Sequence, residues 1–176
     1  MTHLHPLLRI LWPDDFDQSQ RVYALLDGAR DPAIHVALLR ANLHRRCLFG
    51  GRLSPALSEV APHLVQLEPH APFTAMFLSQ GWTQHWGVCL QSAANIDVLA
   101  RHFRRLLRVR DERGNRLLFR FYDPRVLSQY LPTCTAAELA TVFGPVNRFD
   151  ADTVGAGRAL RLQHAPPRLA TRVVTA

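Results

Sequence analysis

Leu117-Leu118-Phe119-Arg120-Phe121-Tyr122-Asp123-Pro124-Arg125-Val126 is the stretch from which the fold is read. Its first six residues predict a strand, with Leu117, Phe119 and Phe121 on one side and Leu118, Arg120 and Tyr122 on the other. The strand should pass straight into a helix. Asp123 suits the N-cap, and Pro124 suits the first helical position, where a missing N–H costs nothing. A strand with one apolar face, and an arginine and a tyrosine on the other, implies a central place in a sheet or a covering partner.

Moving toward the N-terminus, Arg108-Val109-Arg110, the polar turn 111–115 and this strand together predict a β-hairpin. Before it, Asn95 to Leu107 carries apolar residues at Ile96, Leu99, Ala100, Phe103, Leu106 and Leu107, close to the helical period. Arg101, Arg104, Arg105 and Arg108 lie on another arc of that helix, spaced i, i+3, i+4, i+7. The apolar runs Val22–Leu26, His63–Leu67 and Val88–Leu90 predict buried strands. Asp31-Pro32 and Ser54-Pro55 each predict a helix start. The first of these helices should bury Ile34, Leu38, Leu39 and Leu43. Beyond Val126, a helix to Leu131 should bury Val126, Leu127 and Tyr130. Thr135-Ala136-Ala137-Glu138 is a capping box, and Gly144-Pro145 closes its helix. Strands alternating with helices predict an α/β class: a single domain with a mixed β-sheet flanked by helices. Its expected parts are a lead-in over 1–20, a domain over 21–149 and a C-terminal extension over 150–176. That extension should hold a weak strand pair near Gly155-Ala156-Gly157 and a partly mobile end.

The charge is uneven. All 21 basic residues are arginine, and the formal net charge is +7. Residues 1–90 carry seven arginines against seven acids, whereas 91–176 carry fourteen against seven. The lack of lysine excludes a Walker-type phosphate loop, a Schiff-base lysine and a kinase lysine, since each needs an ammonium. The apolar stretch Leu7–Trp12 is too short for a signal-peptide core, which makes a cytoplasmic protein the expectation.

No catalytic constellation emerges. His3 and His5 have a short metal-like spacing but no further ligands, and the nine histidines form no HExxH. Cys47, Cys89 and Cys134 are far apart among apolar neighbours, which fits reduced buried thiols. No G-x-S-x-G elbow exists, and Gly155-Ala156-Gly157 lacks the third glycine of a dinucleotide fingerprint. Asp27 and Asp123 both close expected strands. They could form a carboxylate pair of a hydrolase, or each could cap a turn and balance an arginine such as Arg120 or Arg125. The arginine stripe is open to three readings: a phosphate-binding face, a solvated charged face, or a docking surface for an acidic or polar protein segment. No aromatic interleaves its four arginines, which counts against nucleic acid. No cofactor or metal is implied, and binding is favoured over catalysis.

Several stretches in order resemble a bacterial family called "domain of unknown function 4123". They include Tyr23–Ala29, Leu48-Phe49-Gly50-Gly51, Ala61–Val65, Gly81-Trp82, Trp86-Gly87, His102–Leu107, Leu118–Val126 and Leu139–Pro145. The likeness covers roughly residues 22–149, and its most specific part is Phe119-Arg120-Phe121-Tyr122-Asp123-Pro124-Arg125-Val126. The resemblance implies a type VI secretion adaptor or chaperone without enzymatic activity. Such a protein would bind a cognate effector, often by its N-terminal region, and help load it onto the valine-glycine-repeat spike protein. No membrane partner is implied. Arg120, Tyr122, Asp123, Pro124 and Arg125 are read as the structural mark of the family, with Arg120 balanced inside the fold. The partner-binding candidates are Arg101, Arg104, Arg105 and Arg108. Compared with longer members, little sequence follows the shared region.

Overall fold

Two apolar sequences in the middle of the sheet decide the layering. Strand β1 (Arg21–Leu26) and strand β4 (Gly87–Ser92) pair antiparallel, and from Val22 onward every residue of both is buried. Because side chains alternate across a strand, Tyr23 and Leu25 enter one core while Val22, Ala24 and Leu26 enter the other. A strand buried on both faces needs a layer of helices on each. The computed structural model describes residues 5–153, 155 and 157–175.

The remaining strands are β2 (Arg45–Cys47), β3 (His63–Leu67), β5 (Arg108–Arg110), β6 (Arg116–Leu118), β7 (Arg148–Ala151), β8 (Arg158–Ala165) and β9 (Arg168–Thr175). Seven form one sheet in the order β2-β3-β1-β4-β7-β8-β9, and β5 and β6 form a separate ribbon. The helices are α1 (Pro6–Leu11), α2 (Pro32–Arg40), α3 (Pro55–Val60), α4 (Pro72–Met76), α5 (Ile96–Leu106), α6 (Pro124–Tyr130) and α7 (Ala136–Phe143). Helix α4 runs on into a π-helical turn, Phe77–Gly81. The buried residues of α5, α6 and α7 share the core of Tyr23 and Leu25. Those of α1, α2 and α4, with Trp82 and Trp86, fill the other. No helix is long and apolar enough to cross a membrane among the described residues.

The helix starts form as their caps dictate. The side chains of Asp31, Ser54, Asn95 and Asp123 each accept a backbone N–H of the first turn, and Thr135 with Glu138 closes a reciprocal capping box. Helix α7 stops at Gly144, whose φ of +48° favours glycine. A β-carbon at Gly144 would also lie 2.4 Å from the His102 ring, so this stop lets α7 settle against α5. His102 Nε2 in turn meets the Val142 carbonyl at 2.9 Å.

The α/β class and its flanking helices are as expected, but every pairing in the sheet is antiparallel where a mixed sheet was expected. Alternating helices and strands usually signal parallel crossovers; here α2 and α4 do join strands of the same direction, β1 to β2 and β3 to β4, but each crossover skips a strand of opposite direction, so neighbours in the sheet are antiparallel. The stretch 117–122 also differs. The ladder ends at Leu118, in the exposed β5–β6 ribbon, and this segment is neither a long strand nor central. Phe119 donates one last backbone bond to Leu107, and the Asp123 N–H then closes a turn on the Arg120 carbonyl. Consecutive Phe121 and Tyr122 are both buried, which no strand facing one core could achieve. Phe121 stacks on Phe103 with centroids 5.5 Å apart, and Tyr122 meets Phe121 edge-on. Packing of aromatics has overridden their strand propensity.

The boundary expected at 149/150 falls inside β7, and β8 and β9 extend the main sheet rather than forming a loose extension. Leu39, placed on a core face by periodicity, is 65% exposed; Leu43, Val126 and Tyr130 are only half-buried. His3 and Ala156 lie outside the described residues.

Candidate functional site

The segment after the ribbon builds a set of ion pairs. Asp27 follows β1 directly, is 1% exposed, and uses its backbone N–H to bond the Trp86 carbonyl at 2.8 Å. Its carboxylate accepts the Ala29 N–H and pairs with the guanidinium of Arg120, which remains half-exposed. Asp123 is buried and held by Arg125 through the backbone N–H at 2.9 Å, Nε at 3.0 Å and a terminal nitrogen at 2.6 Å. Burial pushes the Asp123 carboxyl up, but these bonds and the charges of Arg125 and Arg120 outweigh it and hold it below its usual value. Tyr122 lies between the two carboxylates electrically. Burial first, then the charge of Asp27, pushes its hydroxyl up to about 12. Pro124 is buried at the first turn of α6. Each aspartate is thus a turn or cap residue matched to an arginine, and the pair offers no open carboxylate for general acid–base work.

A second ion cluster was not anticipated from sequence. Asp150 in β7 is 1% exposed and accepts from Arg161 at 2.7 Å and Arg148 at 3.0 Å. Both guanidiniums also donate to the Ile10 carbonyl, and Arg148 donates to that of Leu11 as well. The last carbonyls of α1 are thereby tied to β7 and β8, a favourable end of a helix for cations. The two arginines lie two and eleven residues from Asp150, but the α1 carbonyls they tie down lie more than a hundred residues away, and no local pattern signals that link.

The arginine stripe is different in kind. Arg101, Arg104, Arg105 and Arg108 all line one groove of about 670 Å³, beside Leu48, Phe49, Leu53, Leu107 and Leu118. Helix α5 buries Ile96, Leu99, Ala100 and Phe103 in the core, so Arg101, Arg104 and Arg105 on its other arc face outward, whereas Arg108, expected as the fourth member of that helical arc, falls past the helix end as the first residue of β5. The groove lies between α5, the segment after β2, and the β5–β6 ribbon. Among the described residues none of these four arginines forms an ion pair. Arg104 donates to the Cys47 carbonyl at 2.7 Å, and Arg46 clasps Asp97 at the start of α5 through two nitrogens. Together these bonds lock α5 to β2 and fix the groove's width. Among the described residues Arg101, Arg105 and Arg108 are exposed and their side chains make no hydrogen bond or ion pair.

The floor is apolar. Leu48 and Leu107 are 1% and 3% exposed at its base. A neighbouring cleft of about 430 Å³ along the ribbon shares Leu107, Arg108 and Leu118, so the surface continues onto Val109 and Leu117. Val109, Leu117 and Leu118 are 38%, 50% and 49% exposed, an unusual cluster for a water-facing ribbon. A cationic rim over an apolar base suits a protein segment better than a phosphate backbone, whose recognition needs no such floor. The stripe was legible in sequence. Phe49 and Leu53, its facing wall, were not: no motif in their own segment marks them, and only folding brings them opposite α5. A further groove of about 750 Å³ between α2 and α4, lined by Val36, Pro72, Phe73 and Met76, was likewise invisible to motif reading.

Cys47, Cys89 and Cys134 are unpaired thiols; burial pushes the Cys89 thiol well up, with Asp150 adding to it. Such a thiol is a poor nucleophile.

A protein-family model with the description "Domain of unknown function (DUF4123)" matches residues 22–141. The match runs from β1 into α7 and so contains the groove, the Asp27–Arg120 pair and the Asp123 cap, while β7, β8 and β9 lie beyond it. No curated protein and no solved structure matches the chain. With about two-thirds of its residues under that match, the chain belongs to the family Domain of unknown function (DUF4123).

Proposed function

We propose that this protein is a type VI secretion adaptor: a non-enzymatic, cytoplasmic chaperone that binds a cognate effector and helps load it onto the valine-glycine-repeat spike protein. The observation that carries the reading is the family membership over residues 22–141, the span that also holds the groove. The chemistry of the surface supports it. Arginine is favoured at protein interfaces, and here several arginines stand around apolar side chains with no carboxylate of their own. Three buried aspartates, Asp27, Asp123 and Asp150, are by contrast matched to arginines in structural roles.

Co-expression with candidate effector and spike proteins from the same genome, followed by pull-down, tests the proposal. Retention of the effector, and loss of its secretion when the gene is deleted, is the expected outcome. If neither protein is retained and secretion continues, the adaptor reading is wrong.

A further inference from the structure

We infer that the groove beside α5 is a recognition site for an acidic amphipathic segment of a partner protein, in which Arg101, Arg105 and Arg108 read carboxylates while Leu53, Leu118 and the ribbon read apolar side chains. The inference rests on the binding role proposed above and adds the occupant's chemistry and a division of labour among the four arginines.

Charge complementarity argues for the occupant. Nine arginines fall between Arg101 and Arg125, against the acids Asp111, Glu112 and Asp123. Asp123 is already held by Arg125, and Asp111 is turned onto Asn115 and the turn backbone. No carboxylate lines the groove, and Asp97, which feels the charge of Arg101 from four residues before it, is clasped by Arg46. A neutral apolar ligand would leave the cations desolvated and unmatched, and a purely acidic one would leave the leucines in water. A segment with both properties answers the whole surface.

The spacing is informative too. Arg101 and Arg105 stand one turn apart on α5, roughly 6 Å along its axis, and Arg108, the first residue of β5, continues the cationic row past the helix end. A partner helix with anchors at i, i+3, i+4 and i+7, the usual pattern for a helix lying in a groove, can present carboxylates to such a row and apolar side chains to the floor beneath it. Arg104 stands apart. Its bond to the Cys47 carbonyl makes it a positioning residue that holds the floor segment against α5. Its removal should loosen the groove for every ligand, charged or not, whereas removing a reader should matter only for acidic ones.

The test uses the full chain and fluorescence anisotropy with three labelled probes. The first is a helix-forming peptide with Glu and Leu on the i, i+3, i+4, i+7 pattern. The second has the same composition scrambled, and the third is a single-stranded oligonucleotide. The patterned peptide should bind best. Replacing Arg101, Arg105 and Arg108 by Gln should weaken it about tenfold or more. Leu118→Ser should weaken it as well, with the protein's Tm unchanged in both variants. Arg104→Gln should reduce binding of the patterned peptide and also of an uncharged Gln/Leu analogue, which the three-arginine variant binds as wild type does. The inference is overturned by equal binding of patterned and scrambled peptides, by no binding of either, or by oligonucleotide binding that exceeds both and ignores Leu118→Ser. Effector pull-down separates this from the adaptor reading. If the three-arginine variant retains the effector fully, the groove assignment fails and the adaptor role stands. If wild type binds the patterned peptide in the groove yet never retains the effector, the adaptor role fails and the groove assignment stands.

Discussion

Arginines do opposite work in two regions of this molecule. Arg161, Arg148, Arg120 and Arg125 each meet a carboxylate that a strand end or a helix cap has placed beside them, and those carboxylates are buried. Arg101, Arg105 and Arg108 face a groove with no carboxylate in it. Residue type and net charge do not separate the two sets. Location of the acid does. An acid fixed by backbone turns the arginine into scaffold, and a missing acid leaves a cation for a partner.

The Asp150 cluster gives the sharpest way to break the contrast. Asp150→Ala would strand two largely buried guanidiniums and release the end of α1, a loss of about 3–5 kcal/mol. Urea unfolding should show it as a lower midpoint, and a loss below about 1 kcal/mol would remove this cluster from the scaffold class. Acid does something similar without mutation. Asp123 has a lowered folded-state pKa, so its stabilisation is complete above the usual carboxylate range and disappears as pH falls through the lowered value. Buried His63 adds to this from higher pH. Burial, then Arg45 and His35, lower it from 6.5 to about 4, so it stays neutral when folded but takes a proton when unfolded. Stability is therefore full above pH 6.5 and falls toward pH 4, by about 3 kcal/mol at most. His63→Gln should flatten that window in a pH series of unfolding curves, while an unchanged slope would refute the assignment.

Arg120→Ala ranks next. It leaves Asp27 buried without its cation, but Arg120 is half-exposed and water softens the loss to about 1–3 kcal/mol. Stability should suffer more than partner choice. A variant as stable as wild type that had lost only its effector would move Arg120 into the binding set. The smallest effect is expected at the groove: replacing Arg101, Arg105 and Arg108 by Gln should change stability by less than about 0.5 kcal/mol, the usual range for surface positions.

What could be read from the chain follows the range of the interactions involved. Caps at Asp31, Ser54, Asn95, Asp123 and Thr135 are local, and each produced its helix where expected. The apolar face of α5 and the arginines on its other arc are equally local, since one helical period fixes both. Strand direction is not local: β1, β3 and β4 were visible as buried runs, but nothing in them reports that they pair antiparallel. Leu117–Tyr122 misled because its alternating pattern and its aromatic residues favour a strand, while the Asp123 N–H closes a turn and two successive rings are buried. The groove divides the same way. Its cationic wall is α5 and the first residue of β5, with Leu107 of the floor between them, whereas Leu48 of the floor and the far wall of Phe49 and Leu53 lie about fifty residues earlier in the chain.

The central claim, that the groove arginines serve binding and the paired arginines serve the fold, is tested most directly in one set of samples. Wild type and the Arg101/Arg105/Arg108→Gln variant, each co-expressed with the cognate effector, are scored for effector retention and for Tm. The prediction is that the variant loses the effector while its Tm stays within about 2 °C of wild type. A variant that keeps the effector while its Tm drops would contradict the claim and place these arginines in the scaffold.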